Sequence, residues 1–475
     1  MSKSEFGSDF ARNKKEIDEL LGVVASFDLI YRVVHIGGRN ACFYFIDGFC
    51  KDEVLEKVME FLYKITPEEM PETAHDFLKK KLPYGEIDLV STKDNLIQRF
   101  MSGVPLLLID GFSELMAIDF RTYPARGVDE PEKDKVMRGS RDGFVETIVF
   151  NTALIRRRIR DPQLVMEMHT VGKSSRTDVV ISYMKGRVEE SMLDNIRKRI
   201  AKIDIDALTM NQESLAECLY QHKWFNPFPK FKFTERPDTT AASILEGSIA
   251  ILVDNSPSAM ILPTSVFDII EDADDYYFPP VTGTYLRLSR MVINILAVVV
   301  TPLFLLLMKY PEWIPQSLAF IQIHDPVNVP IYVQFLILEF AIDGLRMASL
   351  NTPNMLSMPL SVVAGIVLGD YTVSSGWFNS EVMLYMAFVA VANYTQVSFE
   401  LGYALKFMRL ITLSLTALFG VWGFGLGLLI TILSIIGNKT IAGKSYIYPI
   451  FPFSSKQFLR RFCRISLPAA DKNRH

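Results

Sequence analysis

Cysteine is scarce in this chain. Cys42, Cys50, Cys218 and Cys463 are the four in 475 residues, and no two stand in a C-x-x-C pair. That spacing offers neither a disulfide framework nor a thiolate zinc site, and it fits reduced thiols facing a cytosol. Histidine is equally thin: the six, at positions 35, 75, 169, 222, 324 and 475, show no ligand spacing. G-x-x-x-x-G-K-[ST], G-x-G-x-x-G, G-x-S-x-G and H-E-x-x-H are all missing, so the nucleotide, nucleophile and zinc chemistries they support have no carrier. No catalytic residue, metal or cofactor is expected. A formal net charge of −4 gives no basic footprint for nucleic acid. The opening residues, MSKSEFGSDFARNKKEIDEL, contain no apolar run, so the first half is expected to stay in the cytoplasm.

What is present divides in two. Hydrophobic residues make up 49% and charged residues 22%, with a mean hydropathy of +0.19. Charge is dense up to about residue 285, and long apolar runs follow. The expected fold is an α/β two-part cytoplasmic domain followed by an α-helical polytopic membrane domain. Its parts are 1–128, 136–285, a membrane domain at 286–437 and a basic cytoplasmic tail at 438–475, with RGVDEPEKDK as the linker between the first two. ACFYFIDGF and VPLLLIDGFSELMAIDF read as strands, the second turning at Asp110-Gly111. GFVETIVFNTALIRRRIR sets Val145, Ile148, Val149, Thr152, Ile155 and Ile159 on one helical face, and its arginines are expected on a solvated face or a subunit contact. TDVVISYM reads as a strand, VEESMLDNIRKRIAKI as an amphipathic helix and SIAILVDNSPSAMILP as a hairpin. EDADDYY at 271–277 is expected to be a solvated loop, since it lacks calcium-loop spacing.

In the second half, 291–308, 331–348, 382–405 and 410–436 are candidate spans, and 356–373 is a broken one. Arg287 with Arg290, Lys406 with Arg409, and the basic tail form three positive clusters, which places all three in the cytoplasm and predicts four to six membrane segments. Within 331–348, Glu339, Asp343 and Arg346 are spaced by four and three and share one helical face. One arginine matches one carboxylate, so one acid is expected to stay unmatched. Repeated around an oligomer, it would form an acidic ring that selects cations. A structural ion pair is the alternative reading. Asn393, Gln396 and Glu400 form a second polar stripe, and Gly365 with Gly369 a small-xxx-small step for helix packing or a pore constriction.

Long co-ordered stretches carry a resemblance. RGSRDGFVETIVFNTALIRRRIRDP, EGSIAILVDNSPSAMILPTSVFDIIEDADDYY and the block from Arg287 to Gly443 are similar to the A-subunit (GerA) family of bacterial spore germinant receptors. TERPDTTAASILEGSIAILVD, ANYTQVSFELGYALKFMRL and NKTIAGKSYIYPIFPF resemble a paralogous branch of that family more narrowly. The resemblance implies a multi-pass protein of the inner spore membrane that forms a homo-oligomeric channel for inorganic cations. It implies a small soluble sporulation partner for the paralogous branch and other receptor subunits for the nutrient-gated one, and it transfers no catalytic residue. The competing functions are a nutrient-sensing receptor subunit, a carrier for a small anion such as dipicolinate, and a scaffold without permeation.

Overall fold

The computed structural model describes residues 4–82, 84–123, 139–220, 225–351, 365, 369, 371–441, 443 and 445–464. The chain divides into two units, Met1–Gln221 with Phe231–Pro263, and His222–Lys230 with Thr264–His475.

The first unit contains two five-stranded antiparallel sheets. Strands β1 (Leu29–Ile36), β2 (Arg39–Ile46), β3 (Ile87–Val90), β4 (Leu106–Ile109) and β5 (Leu115–Ile118) lie in the order β1-β2-β4-β5-β3. Strands β6 (Leu164–Val171), β7 (Thr177–Met184), β8 (Lys232–Thr234), β9 (Ile249–Val253) and β10 (Ala259–Leu262) lie in the order β6-β7-β9-β10-β8. The second order is the first with five added to each number. The helices follow the same repeat. α1 (Phe10–Leu21), α2 (Asp52–Tyr63), α3 (Ala74–Lys81) and α4 (Lys93–Met101) punctuate the first sheet. α5 (Ile148–Arg158), α6 (Glu190–Ala201), α7 (Asn211–Leu219) and α8 (Pro237–Leu245) punctuate the second in the same places. The unit is a tandem of one αββααβαββ module.

Matching side chains mark the repeat. Buried Asn13 of α1 donates to the Gly7 carbonyl at 2.7 Å and accepts from the Gly7 amide at 3.3 Å. Buried Asn151 of α5 makes the same two bonds to Val145, also six residues upstream, at 2.5 and 2.8 Å. Each amide satisfies both its ends while fixing the chain that leads into the helix. In the first sheet, Leu106 and Leu108 pack beside Tyr44, whereas Leu107 and Ile109 pack beside Phe43 on the opposite face. Covered on both sides, β4 reads in sequence as the unbroken run LLLI.

The arginine-rich end of α5 is not a solvated face throughout. Arg156 is wholly buried and reaches Asp28 through Nε at 2.7 Å and Nη2 at 3.0 Å, with Nη2 also donating to Ser26 Oγ and the Leu164 carbonyl. The apolar spacing that set the arginines opposite the core omits this ion pair, because its carboxylate belongs to the other module.

The second unit is helical. It contains α9 (Val266–Ile270), α10 (Asp274–Tyr277), α11 (Pro280–Lys309), α12 (Ile331–Asn351), α13 (Ser380–Tyr394), α14 (Phe399–Phe419), α15 (Val421–Ile436) and α16 (Ser455–Phe462). Among the described residues, α11 and α14 are long and apolar enough to cross a membrane, and α13 and α15 are shorter apolar helices. Along α11, Val281, Tyr285, Leu288, Val292 and Ile295 are exposed and recur at helical spacing, so an apolar stripe faces outward.

Two expected segments divide. The 382–405 run breaks between Tyr394 and Phe399, where Ser398 caps α14 by accepting the Leu401 amide at 3.3 Å. The 410–436 run breaks at Gly420, whose φ of +57° suits glycine and whose missing Cβ leaves room for the Tyr310 hydroxyl. Most of 356–373 lies outside the described residues.

Candidate functional site

Helix α12 carries Glu339 and Asp343 one turn apart, as their spacing predicts. Their partners come from α14. Arg409 Nε donates to Glu339 Oε1 at 2.7 Å, and its Nη2 stands 2.6 Å from the same oxygen in an ion-pair contact that is not aligned as a hydrogen bond. Lys406 Nζ lies 3.3 Å from Glu339 Oε2 and bonds Asp343 Oδ2. Arg409 Nη1 also donates to the Ala297 carbonyl of α11 at 2.9 Å. Four charges thus tie α11, α12 and α14 together.

Burial is graded across the network. The Arg409 side chain is 0% exposed, Glu339 6% and Lys406 8%, whereas Asp343 is 30% exposed. Charges this deep persist only when they are paired and hydrogen-bonded. Two carboxylates face two cations, so the group sums to zero. The expectation of one unmatched acid is corrected: its charge count used Arg346 alone, and the neutralising groups lie more than sixty residues downstream. Arg346 instead places its guanidinium over the rings of Phe399 and Tyr403, 4.6 and 5.1 Å from their centroids. Nor do Lys406 and Arg409 flank a span. They sit inside α14 and cannot serve as the positive cluster assigned to them.

Asp343 opens into a narrow cleft that Arg346, Asn393, Gly402, Tyr403 and Lys406 also line. Asn393 of α13 therefore joins the α12 charges. Gln396 and Glu400 do not continue a stripe with it, since the helix break intervenes. Gln396 Nε2 donates to the Ala392 carbonyl at 3.1 Å, and Glu400 lies exposed in the first turn of α14, where a carboxylate complements the helix dipole. Gly365 and Gly369 are described, and a Cβ at either would meet nothing within 4 Å, so the close packing expected of them is not seen among the described residues.

The acidic stretch expected to be solvated is also built in. Asp275 is wholly buried and accepts from Arg287 Nε at 3.4 Å and Arg290 Nη1 at 3.1 Å. Glu271 takes Arg287 Nη2 at 2.7 Å and Arg461 Nη1 at 2.9 Å. Among the described residues, no group of histidine, cysteine and carboxylate side chains could hold a metal ion. The arginines are what turn this acidic run inward. Counted as charges at a membrane border, Arg287 and Arg290 gave no hint of their partners.

The profile of the Bacillus/Clostridium GerA spore germination protein family matches residues 15–475. The chain belongs to the GerA family. It is 33% identical over 461 residues to stage V sporulation protein AF of Bacillus subtilis (strain 168), covering 97% of this chain and 93% of that one. It is 27% identical over 455 residues to spore germination protein KA of the same organism, covering 94% and 82%. The crystal structure of the N-terminal domain of the A subunit of the Bacillus megaterium spore germinant receptor GerK3 aligns with 26% identity and a TM-score of 0.41. That alignment covers 55% of this chain and 98% of that one. In this GerA-family protein the four-charge network and its cleft are one of two buried charge clusters described in the helical unit.

Proposed function

We propose that this protein spans the inner spore membrane several times, forms a homo-oligomer and conducts inorganic cations out of the spore core during germination. The observation that carries this reading is the Asp343 cleft. It is a polar opening among apolar helices, and a charged group at bilayer depth is costly enough to mark an ion path by default. In the arrangement described, Asp343 is held by Lys406, so the resting bundle is neutral and closed. Release of Asp343 into the cleft supplies the negative lining that attracts a cation. In this reading the tandem module and the basic tail face the cytoplasm. The modules present surfaces for a small soluble partner and for other germination subunits.

Reconstitution of the full-length protein into potassium-loaded liposomes tests it. Potassium efflux that needs the protein and no nutrient supports conduction. Saturable binding of a small nutrient without flux supports the sensing subunit, and efflux of dipicolinate with potassium retained supports the anion carrier.

A further inference from the structure

We propose that the C-terminal arm, residues 445–464, lies in the headgroup layer of the bilayer and binds anionic phospholipid; this rests on the membrane reading above. The arm has aromatic and basic residues and no acid: SYIYPIFPFSSKQFLRRFCR contains no Asp or Glu. Its helix α16 is held against the first turns of α11. Arg287 Nη1 donates to the carbonyls of Arg460 and Arg461, both at 3.0 Å, and the Arg464 amide donates to Thr284 Oγ1 at 3.0 Å. Gly283 permits the contact, since a Cβ there would stand 2.2 Å from the Asp275 carbonyl and 2.8 Å from Arg464 Cδ.

This seating fixes the height of the arm. It lies where the outward apolar stripe of α11 begins, at Val281 and Tyr285, which is where a helix leaves water for lipid. Phe458 stacks on Phe462, and Phe462 packs on Phe267, so these rings are used internally. Ile450, Phe451, Phe453 and Leu459 are not: they are 44%, 68%, 69% and 55% exposed. Four large apolar side chains beside Lys456 and Arg460, one turn apart on α16, have the make-up of an interfacial helix that dips its rings below the phosphates and keeps its cations among them. Continuity with the α11 stripe selects the occupant, because a bilayer around α11 must also cover the adjacent arm. Arg461 pairs with Glu271 and Asp268, and the basic character of the rest of the arm selects anionic headgroups.

The test uses the full-length protein in liposomes containing a photoactivatable phosphatidylglycerol, with labelled peptides mapped by mass spectrometry. Labelling is expected both in residues 281–295 and in 450–460. Phe453→Ser with Leu459→Ser is expected to reduce labelling of the arm several-fold and leave α11 labelling unchanged. Label on α11 with none on the arm overturns the proposal alone. Label on neither overturns the membrane reading and the proposal with it. Equal labelling of the arm by a phosphatidylcholine probe removes the anionic preference.

Discussion

Arg409 and Glu339 meet at 2.7 Å with 0% and 6% of their side chains exposed, and the same guanidinium holds the Ala297 carbonyl, so one side chain joins three helices. Removing it leaves a buried carboxylate short of a partner. Arg409→Met should destabilise the helical unit by about 3–5 kcal/mol, and Glu339→Met added to it should recover much of that loss. Thermal melts of the full-length protein in detergent, run as a double-mutant cycle, measure the coupling.

Arg156 and Asp28 make the corresponding test between the two modules. Arg156→Met should cost about 3–5 kcal/mol by leaving Asp28 buried and unmatched, with partial recovery in Arg156→Met, Asp28→Leu. Urea denaturation of the first unit, followed in the full-length protein, reads the difference. A cost confined to one module, with two separate transitions already in the wild type, would show that the pair does not couple them.

The α14–α15 pair depends on two glycines and is indifferent to a third. A Cβ at Gly427 would stand 2.6 Å from Thr412 Cα, and one at Gly423 would stand 1.8 Å from the Leu415 carbonyl, whereas Gly425 faces open space. Helix propensity favours alanine at all three. Packing reverses the sign at Gly427, where alanine should destabilise by about 1–3 kcal/mol. Gly425→Ala should be neutral or stabilising, and melting temperatures of the two variants compare them directly.

Acid should loosen the second module through Glu167. Burial alone would raise its pKa, but His169 at 3.7 Å, hydrogen bonds from Arg197 and Tyr183 and the Arg197 charge outweigh that and hold the carboxyl well below its usual range. A depressed folded pKa contributes stability that is complete above the unfolded value, about 4.3. The contribution is lost as pH falls from there toward the folded value. Urea midpoints from pH 7 down to pH 3 should therefore fall more steeply in the wild type than in Glu167→Gln.

Two cysteines, Cys42 buried and Cys50 half-buried, give a check on the first module. Burial pushes Cys42 up to about 11 and Cys50 up to about 12. Both stay protonated at pH 8, where the thiolate is the reactive form. Alkylation with iodoacetamide should modify Cys42 only after urea opens the sheet, and half-buried Cys50 before it. Modification of Cys42 at the rate of a free thiol peptide would contradict the packing around β2.

Much of this architecture was legible, and the parts that were not have a common cause. The hairpin at Asp110-Gly111 and the shared face of Glu339, Asp343 and Arg346 depend on neighbours within a turn or a strand, so spacing finds them. Strands β1 and β6 did not stand out. Each sits at a sheet edge, where YRV in one and EMHT in the other interrupt the apolar run. The tandem repeat was hidden because topology and a bracketing asparagine persist where sequence identity does not. Lys406 and Arg409 were legible as charges but not as partners. Their role turns on the Ser398 cap, which shifts the start of α14 and brings them to its centre. The buried Arg156 and Asp275 pairs likewise join positions that no local pattern connects.

Potassium efflux from liposomes holding the full-length protein tests the channel proposal most directly when Asp343→Asn and Lys406→Met are compared with the wild type. Loss of the carboxylate should cut the flux by roughly tenfold, about 1.4 kcal/mol at the ion path, and loss of the lysine that holds it should raise the resting leak. Unchanged flux in both variants, with oligomers intact by cross-linking, would contradict a conducting role for the Asp343 cleft.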